Sequence, residues 1–206
     1  MSNAIRIHHH PLSGHSHRVV LFANLAGIGH TLVDVDLLAG EHKQPAFQSL
    51  NPFGQVPVIE DGETVIADSN AILVYLARKY APDWLPTDFA LEAQVQRFLS
   101  FAAGPIANGP AAARLITVFR ADLDADHAAA VAAQAFDRLE AHLEGRDWLV
   151  GTRPSIADVA IYSYTAHAPE GNVSLEGYPN IRAHLKRIEN LPGFVAMAAT
   201  PAGLAA

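Results

Sequence analysis

Two serines, Ser13 and Ser16, stand in Pro11-Leu12-Ser13-Gly14-His15-Ser16-His17-Arg18-Val19, between an expected first strand and an expected first helix. A hydroxyl there can donate a hydrogen bond to an anion, helped by the positive end of the helix. It is too weak a base to remove a proton, so its chemistry is the stabilisation of charge. Either serine could instead be a turn or cap residue. A second stretch, Asn51-Pro52-Phe53-Gly54-Gln55-Val56-Pro57-Val58, interrupts an apolar segment with two prolines and a glycine. Pro52 and Gly54 read as a turn. Pro57 belongs at the first residues of a strand, because proline cannot donate to a sheet ladder. X-Pro bonds reach the cis form at about 0.5–1 kcal/mol, which here would leave the Val56 N–H and C=O free to pair with an extended ligand. An ordinary turn leading into a strand is the competing reading. A third place is Asp68-Ser69, at the head of a periodic apolar segment, where Ser69 would cap a helix.

Other residues that invite chemistry carry less. His8-His9-His10 suggests a metal, but side chains alternate faces along a strand, so the three cannot converge on one ion. No metal site is expected. Gly27-Ile28-Gly29 is no dinucleotide fingerprint, since it comes after a helix and lacks the third glycine. Zero cysteines exclude disulfides, thiolate metal sites and a cysteine nucleophile.

Periodicity gives the elements that hold these residues in place. Ile5–His8 reads as a strand, Ser16–Ala26 as a helix ended by Gly27, and Thr31–Leu37 as a second strand. Residues His42–Leu50 form a loop and short helix. Val56–Glu60 and Thr64–Ala67 are strands joined by a turn at Asp61-Gly62. A helix then runs to about Tyr80, with Ile72, Leu73, Leu76 and Ala77 at helical spacing. The order β-α-β-α-β-β-α predicts a thioredoxin-like α/β domain over residues 1–82, with a mixed sheet. Residues 83–88 read as a linker, and residues 89–206 as an all-α domain. Its first helix should break at Gly104-Pro105, and a last short helix should come after Leu191-Pro192-Gly193. Ile156–Ala166 is apolar nearly all round, which marks a helix buried in a bundle. Ser155-Ile156-Ala157-Asp158 before it is a capping box variant.

Composition limits the function. With 14 basic and 21 acidic residues the formal charge is −7, which argues against nucleic acid and anionic membranes as partners. No run of 18 apolar residues exists, and no secretory signal is visible, so we expect a cytoplasmic protein.

The order of motifs resembles the glutathione transferase family, in particular its phi- and theta-like serine members. The matching pieces are Pro11-Leu12-Ser13, His42-Lys43, Asn51 to Pro57, and Asp68-Ser69 at the head of a helix. Residues 5–80 carry the resemblance closely and the remainder more loosely. It implies a thioredoxin-like domain followed by a helical domain, a homodimer, and glutathione as co-substrate. Only the thiolate is a good nucleophile, and an ordinary thiol ionises near 8.5. Matching Pro-Leu-Ser against the family pattern makes Ser13 the residue that stabilises the glutathione thiolate, with Ser16 as the alternative. Asp68 would face the γ-glutamyl ammonium, although many relatives carry Glu there. Ser69 would bind the γ-glutamyl carboxylate, and Val56, fixed by Pro57, the cysteinyl unit. Gln55, His42 and Lys43 would serve the glycyl carboxylate or the γ-glutamyl end. Asp68-Ser69 could equally be a helix cap, and His42-Lys43 a solvated loop. Arg18 is expected to support the fold or an interface.

For a second substrate, Leu12, Arg114, Thr117, Phe119 and Tyr164 are candidates on the same analogy. Apolar lining would suit a small hydrophobic electrophile, and Arg114 an anionic one. Conjugation of glutathione is the expected reaction. Peroxide reduction, dehalogenation or isomerisation on the same site are alternatives, as is a non-catalytic ligand-binding module.

Overall fold

The computed structural model describes residues 4–205, so the expected domain limits at residues 1 and 206 fall outside the described residues. These form two compact units, residues 4–82 with 192–198, and 83–191 with 199–205.

The first unit is built on a four-stranded sheet in the order β2-β1-β3-β4. Strand β1 (Ile5–His9) runs parallel to β2 (His30–Asp34) and antiparallel to β3 (Val58–Asp61), which pairs antiparallel with β4 (Thr64–Ala67). A two-residue turn between Asp61 and Thr64, with Gly62 at φ 63°, closes the β3–β4 hairpin. Helices α1 (Gly14–Leu25) and α3 (Ser69–Tyr80) pack against each other, and α2 (Pro45–Gln48) is a single turn. Ile7, Val19, Leu21, Phe22, Ile59, Ile72, Leu73 and Leu76 are completely buried. A second cluster joins Phe47 of α2 to Val35 and Val58. Strand β2 is shorter than the alternation suggested. It stops at Asp34, and Val35, still hydrogen-bonded to the His9 carbonyl, turns inward under Phe47. The three consecutive histidines diverge. His8 Nε2 reaches Glu60 Oε1 at 2.5 Å, His9 Nε2 lies 2.8 Å from Asp34 Oδ1, and His10 Nδ1 accepts from the Leu12 N–H.

In the second unit, α4 (Phe89–Phe101) starts at Asp88, whose carboxylate accepts from the N–H groups of Ala90 and Leu91. The expected break at Gly104-Pro105 does not occur. Helical turns continue as a π-helical segment, Ala102–Ala111, into α5 (Ala112–Phe119). The wider π turn accommodates Pro105 and Pro110, which have no N–H to donate. Gly109 lets this segment press onto the longest helix, α6 (Ala125–Leu143), where an added Cβ would stand 2.7 Å from the Ala132 nitrogen. Helix α7 (Ile156–Ala166) is buried around nearly its whole circumference, and both halves of its capping box are formed. Helix α8 (Pro179–Glu189) completes the unit. The short helix expected after Gly193 is absent. Residues 194–199 are extended or irregular, and one 3-10 turn, Gly203–Ala205, comes after them. Residues 192–198 belong to the first unit instead: Gly193 sits where a Cβ would meet the Asn24 carbonyl at 2.7 Å, and His17 Nε2 donates to the Val195 carbonyl at 2.9 Å.

Candidate active site

Sheet register brings the sequence motifs of the first unit to one edge. His8 pairs with Val58, and Val58 with Ala67. The end of β1, the start of β3 and the end of β4 therefore lie side by side. Ser13 comes just after β1, Val56-Pro57 leads into β3, and Asp68-Ser69 comes directly after β4. Helices α1 and α3 both begin at this edge, so two positive helix ends face it.

Ser13 is the N-cap of α1. Its Oγ accepts from the Ser16 N–H at 3.2 Å, and its own backbone N–H donates to the His10 carbonyl at 2.9 Å. The cap bond uses an oxygen lone pair and leaves the hydroxyl proton to donate outward. The side chain is half-buried and reachable. Ser16, the alternative, is completely buried, and its Oγ accepts from the His10 N–H at 3.3 Å. It tightens the turn after β1 and does not present a hydroxyl to a ligand.

The Val56–Pro57 bond is cis. Strand β3 begins only at Val58, so Val56 stands outside the ladder. Asn51, buried, organises this stretch: its Nδ2 donates to the Gln55 carbonyl at 2.8 Å, and its Oδ1 accepts from the Phe53 N–H at 3.1 Å. Gly54, at φ 60°, approaches so closely that a Cβ would stand 2.8 Å from the His42 carbonyl. That contact fixes the loop carrying His42 and Lys43 beside Gln55. Lys43 and Gln55 are exposed and His42 is half-buried, with its Nδ1 enclosed and without a hydrogen-bond partner.

At the head of α3 the expected roles are exchanged. Asp68, not Ser69, is the N-cap. Its Oδ1 accepts from the N–H groups of Asn70 and Ala71, both at 2.9 Å. Its φ of 70° with ψ of 121° is a conformation that non-glycine residues seldom adopt and that concentrates at functional sites. Both cap bonds fall on one oxygen of an exposed carboxylate, so the charge still faces solvent. Ser69 is buried, and its Oγ accepts from Arg18 Nη1 at 2.8 Å. The same Nη1 donates to Asn70 Oδ1 at 2.9 Å. His15 Nδ1 lies 3.3 Å from Ser69 Oγ. Burial, and then the neighbouring Arg18 charge, push His15 down to about 3, so this imidazole is neutral at physiological pH. Arg18 is 1% exposed, and its charge lies directly behind the Ser69 hydroxyl. Asn51, His15, Arg18 and Asn70 are the supporting residues of the site. Asn51 and His15 stand inside the motifs quoted from the sequence, but of the four only Arg18 carries an expected supporting role there.

The second-substrate candidates need correction. Arg114 is 1% exposed and pairs through Nε with Glu170 Oε2 at 2.8 Å. Burial alone would raise Glu170; hydrogen bonds from His167 and Thr200 and the Arg114 charge outweigh it and hold the carboxyl below its ordinary range. Thr117 donates to the Glu170 carbonyl at 2.5 Å. Tyr164 is buried within α7. These three are built into the helical unit. Leu12 and Phe119 are half-buried. Among the described residues no group of three or more histidine or acidic side chains converges as metal ligands do.

Comparison with known proteins agrees with this architecture. Residues 12–79 match the family model "Glutathione S-transferase, N-terminal domain", and residues 115–192 match "Glutathione S-transferase, C-terminal domain". Glutathione S-transferase theta-2 of Mus musculus is 31% identical over 196 residues, covering 88% of this chain and 79% of its own. Glutathione S-transferase 3 of Zea mays is 31% identical over 211 residues, covering 92% and 91%. A glutathione S-transferase structure from Pseudomonas fluorescens superposes with a TM-score of 0.90 at 31% identity, over 96% of this chain and 100% of that one. A glutathione transferase homologue from Drosophila mojavensis, solved with bound glutathione, superposes with a TM-score of 0.84 at 26% identity, covering 93% and 90%. With both halves matched in order and relatives aligned along most of their length, the chain belongs to the glutathione S-transferase family of enzymes.

Proposed function

We propose that this chain binds glutathione along the edge formed by Ser13, Val56 and the head of α3, and adds its thiolate to a small, largely apolar electrophile. The observation that carries the reading is the register that brings a capping serine with a free hydroxyl proton, a backbone unit outside the ladder and two helix N-termini to one sheet edge. Ser13 donates to the thiolate and lowers its basicity. Val56 pairs with the cysteinyl backbone. Asp68 meets the ammonium with the carboxylate oxygen its cap leaves open, and the α3 N-terminus, backed by the Ser69 hydroxyl, meets the γ-glutamyl carboxylate. His42, Lys43 and Gln55 serve the glycyl end. The internal pairing of Arg114 removes the argument for an anionic electrophile. We place the enzyme in the cytoplasm as a homodimer. Among the described residues no helix is long and apolar enough to cross a membrane.

Ultraviolet difference spectroscopy of the protein with glutathione, titrated from about pH 5 to 9, tests the reading. Thiolate absorbance well below the ordinary value of about 8.5 is the expected result. Binding without ionisation would assign the chain a carrier role, and no binding would remove the site.

A further inference from the structure

The turn that presents Ser13 is held by one histidine through its N–H, its carbonyl and its ring. His10, Pro11, Leu12 and Ser13 form a β-turn, closed where the Ser13 N–H donates to the His10 carbonyl at 2.9 Å. The His10 N–H donates to Ser16 Oγ at 3.3 Å, and the Ser16 N–H donates to Ser13 Oγ at 3.2 Å. These bonds close a cycle, from His10 to Ser16, from Ser16 to Ser13, and from Ser13 back to His10. None of them uses the His10 side chain, so any residue with a backbone N–H could complete the cycle.

The imidazole adds a further bond, from the Leu12 N–H to His10 Nδ1 at 3.3 Å. A backbone N–H can only donate, so Nδ1 offers a lone pair and the ring proton is on Nε2. Burial lowers the ring below the ordinary histidine range, against the pull of Asp36 and Asp34. The half-buried ring is therefore neutral at pH 7, with its lone pair in place. This bond acts where the cycle does not. Proline fixes φ but leaves ψ two wells, the right-handed helical and the polyproline regions. The ψ of Pro11 decides where the Leu12 N–H points, and the ring holds that N–H. Asparagine and aspartate fix turns in the same way, by bonding the N–H two residues on. Here a histidine takes that role.

We propose that His10 is a positioning residue for the reaction: its imidazole fixes the Pro11–Leu12 peptide, and through it the direction in which Ser13 presents its hydroxyl proton to the thiolate. The inference rests on the reading of Ser13 as the thiolate donor. Hydrogen bonds weaken steeply as their angle closes, so a shifted turn costs thiolate stabilisation without removing the serine. The other glutathione contacts, at Val56, Asp68 and the head of α3, stay in place.

Two measurements test this: the pKa of bound glutathione by ultraviolet difference titration, and the affinity for S-methylglutathione, which has no thiol to ionise, by calorimetry. His10→Phe keeps a ring and loses the acceptor. It should raise the bound thiol's pKa by about one unit and change the S-methylglutathione affinity by less than about threefold. His10→Leu, a second variant without an acceptor, should do the same. His10→Asn puts an amide oxygen where Nδ1 stands and should return the pKa to near its native value. In a Ser13→Ala background His10→Phe should add nothing, because it acts through the serine. A native pKa in both acceptorless variants would overturn the proposal. So would an Asn variant shifted as far as they are, a further shift in the double variant, or loss of S-methylglutathione binding in all three single variants at position 10. If Ser13→Ala itself leaves the pKa unchanged, the reading of Ser13 falls and this one with it. If Ser13→Ala shifts the pKa and neither His10→Phe nor His10→Leu does, the role of Ser13 stands and that of His10 alone falls.

Discussion

Ser13 holds two jobs on two sets of electrons: its oxygen caps α1, and its proton is available to the thiolate. Replacing it by alanine should raise the pKa of bound glutathione toward about 8.5 and lower turnover by about 100-fold, the scale of losing one donor to a developing anion. Glutathione affinity should change little. Ser13→Gly, which caps nearly as well, should show the same kinetic loss with almost no loss of stability, separating the two jobs. A pH–rate profile that stays put in both variants would remove Ser13 from the chemistry. Asp68 is separable in the same way. Asn accepts cap bonds as well as Asp does and tolerates positive φ, so Asp68→Asn should leave stability within about 0.5 kcal/mol while weakening glutathione binding about tenfold, read by calorimetry. Undiminished affinity would contradict the ammonium contact. At this scale the sequence showed which residue types gather but not which atoms face outward. Ser13 and Ser16 are distinguished by burial, and by which hydroxyl meets the Ser16 N–H and which the His10 N–H. Asp68 and Ser69 are both preferred N-cap types, so residue type does not decide between them; the N–H groups of Asn70 and Ala71, which meet Asp68, do.

The elements were legible where one local rule decides them. Helix α7 is the clearest case: an all-round apolar run, preceded by Ser155 and Asp158, forms the buried helix and the capping box that the pattern predicts. Asp158 does more than the motif requires. It is 1% exposed and accepts from the N–H groups of Leu149 and Ser155, from Ser155 Oγ, and from His184 Nε2 at 2.8 Å. Asp158→Ala leaves these donors buried and without their acceptor, so it should cost about 3–5 kcal/mol, seen as a lower urea midpoint with an unchanged slope. A loss under about 1 kcal/mol would mean that the box is incidental. Where local rules conflict, the sequence misled. Gly104-Pro105 and Pro110 read as breaks, but tertiary packing of Gly109 on Ala132 holds the chain in π turns. The residues after Gly193 read as a short helix, but the contacts of Gly193 and Val195 with α1 hold that stretch extended.

For the whole molecule, the buried histidines set how stability responds to acid. His15 is pushed down to about 3, by burial first and by Arg18 second. His9 and His10 are also lowered, chiefly by burial, against the pull of Asp34 and Asp36. Well above pH 6.5 these groups are neutral in both folded and unfolded chains and contribute no pH dependence. As pH falls below 6.5 the unfolded chain takes up protons that the folded chain refuses, and stability declines. For His15 alone, the fall from about pH 6.5 to 5 should remove about 2 kcal/mol, at about 1.4 kcal/mol per unit. Glu170 acts with the same sign in a lower window. Its depressed carboxyl stabilises the fold above about pH 4.5, and that contribution disappears as pH falls through its folded value. The decline between about pH 6.5 and 5 is therefore a histidine effect, and it can be assigned. Asn in place of His15 retains a side-chain acceptor near Ser69 and Arg18 and has no proton to refuse. Urea midpoints from about pH 8 to 5 should fall in the native chain, while His15→Asn starts lower by a constant offset from the lost packing of the enclosed ring and then stays much flatter below about pH 6.5. A variant that falls as steeply as the native chain would place the acid response elsewhere, and would leave the neutral imidazole behind Ser69 without energetic consequence.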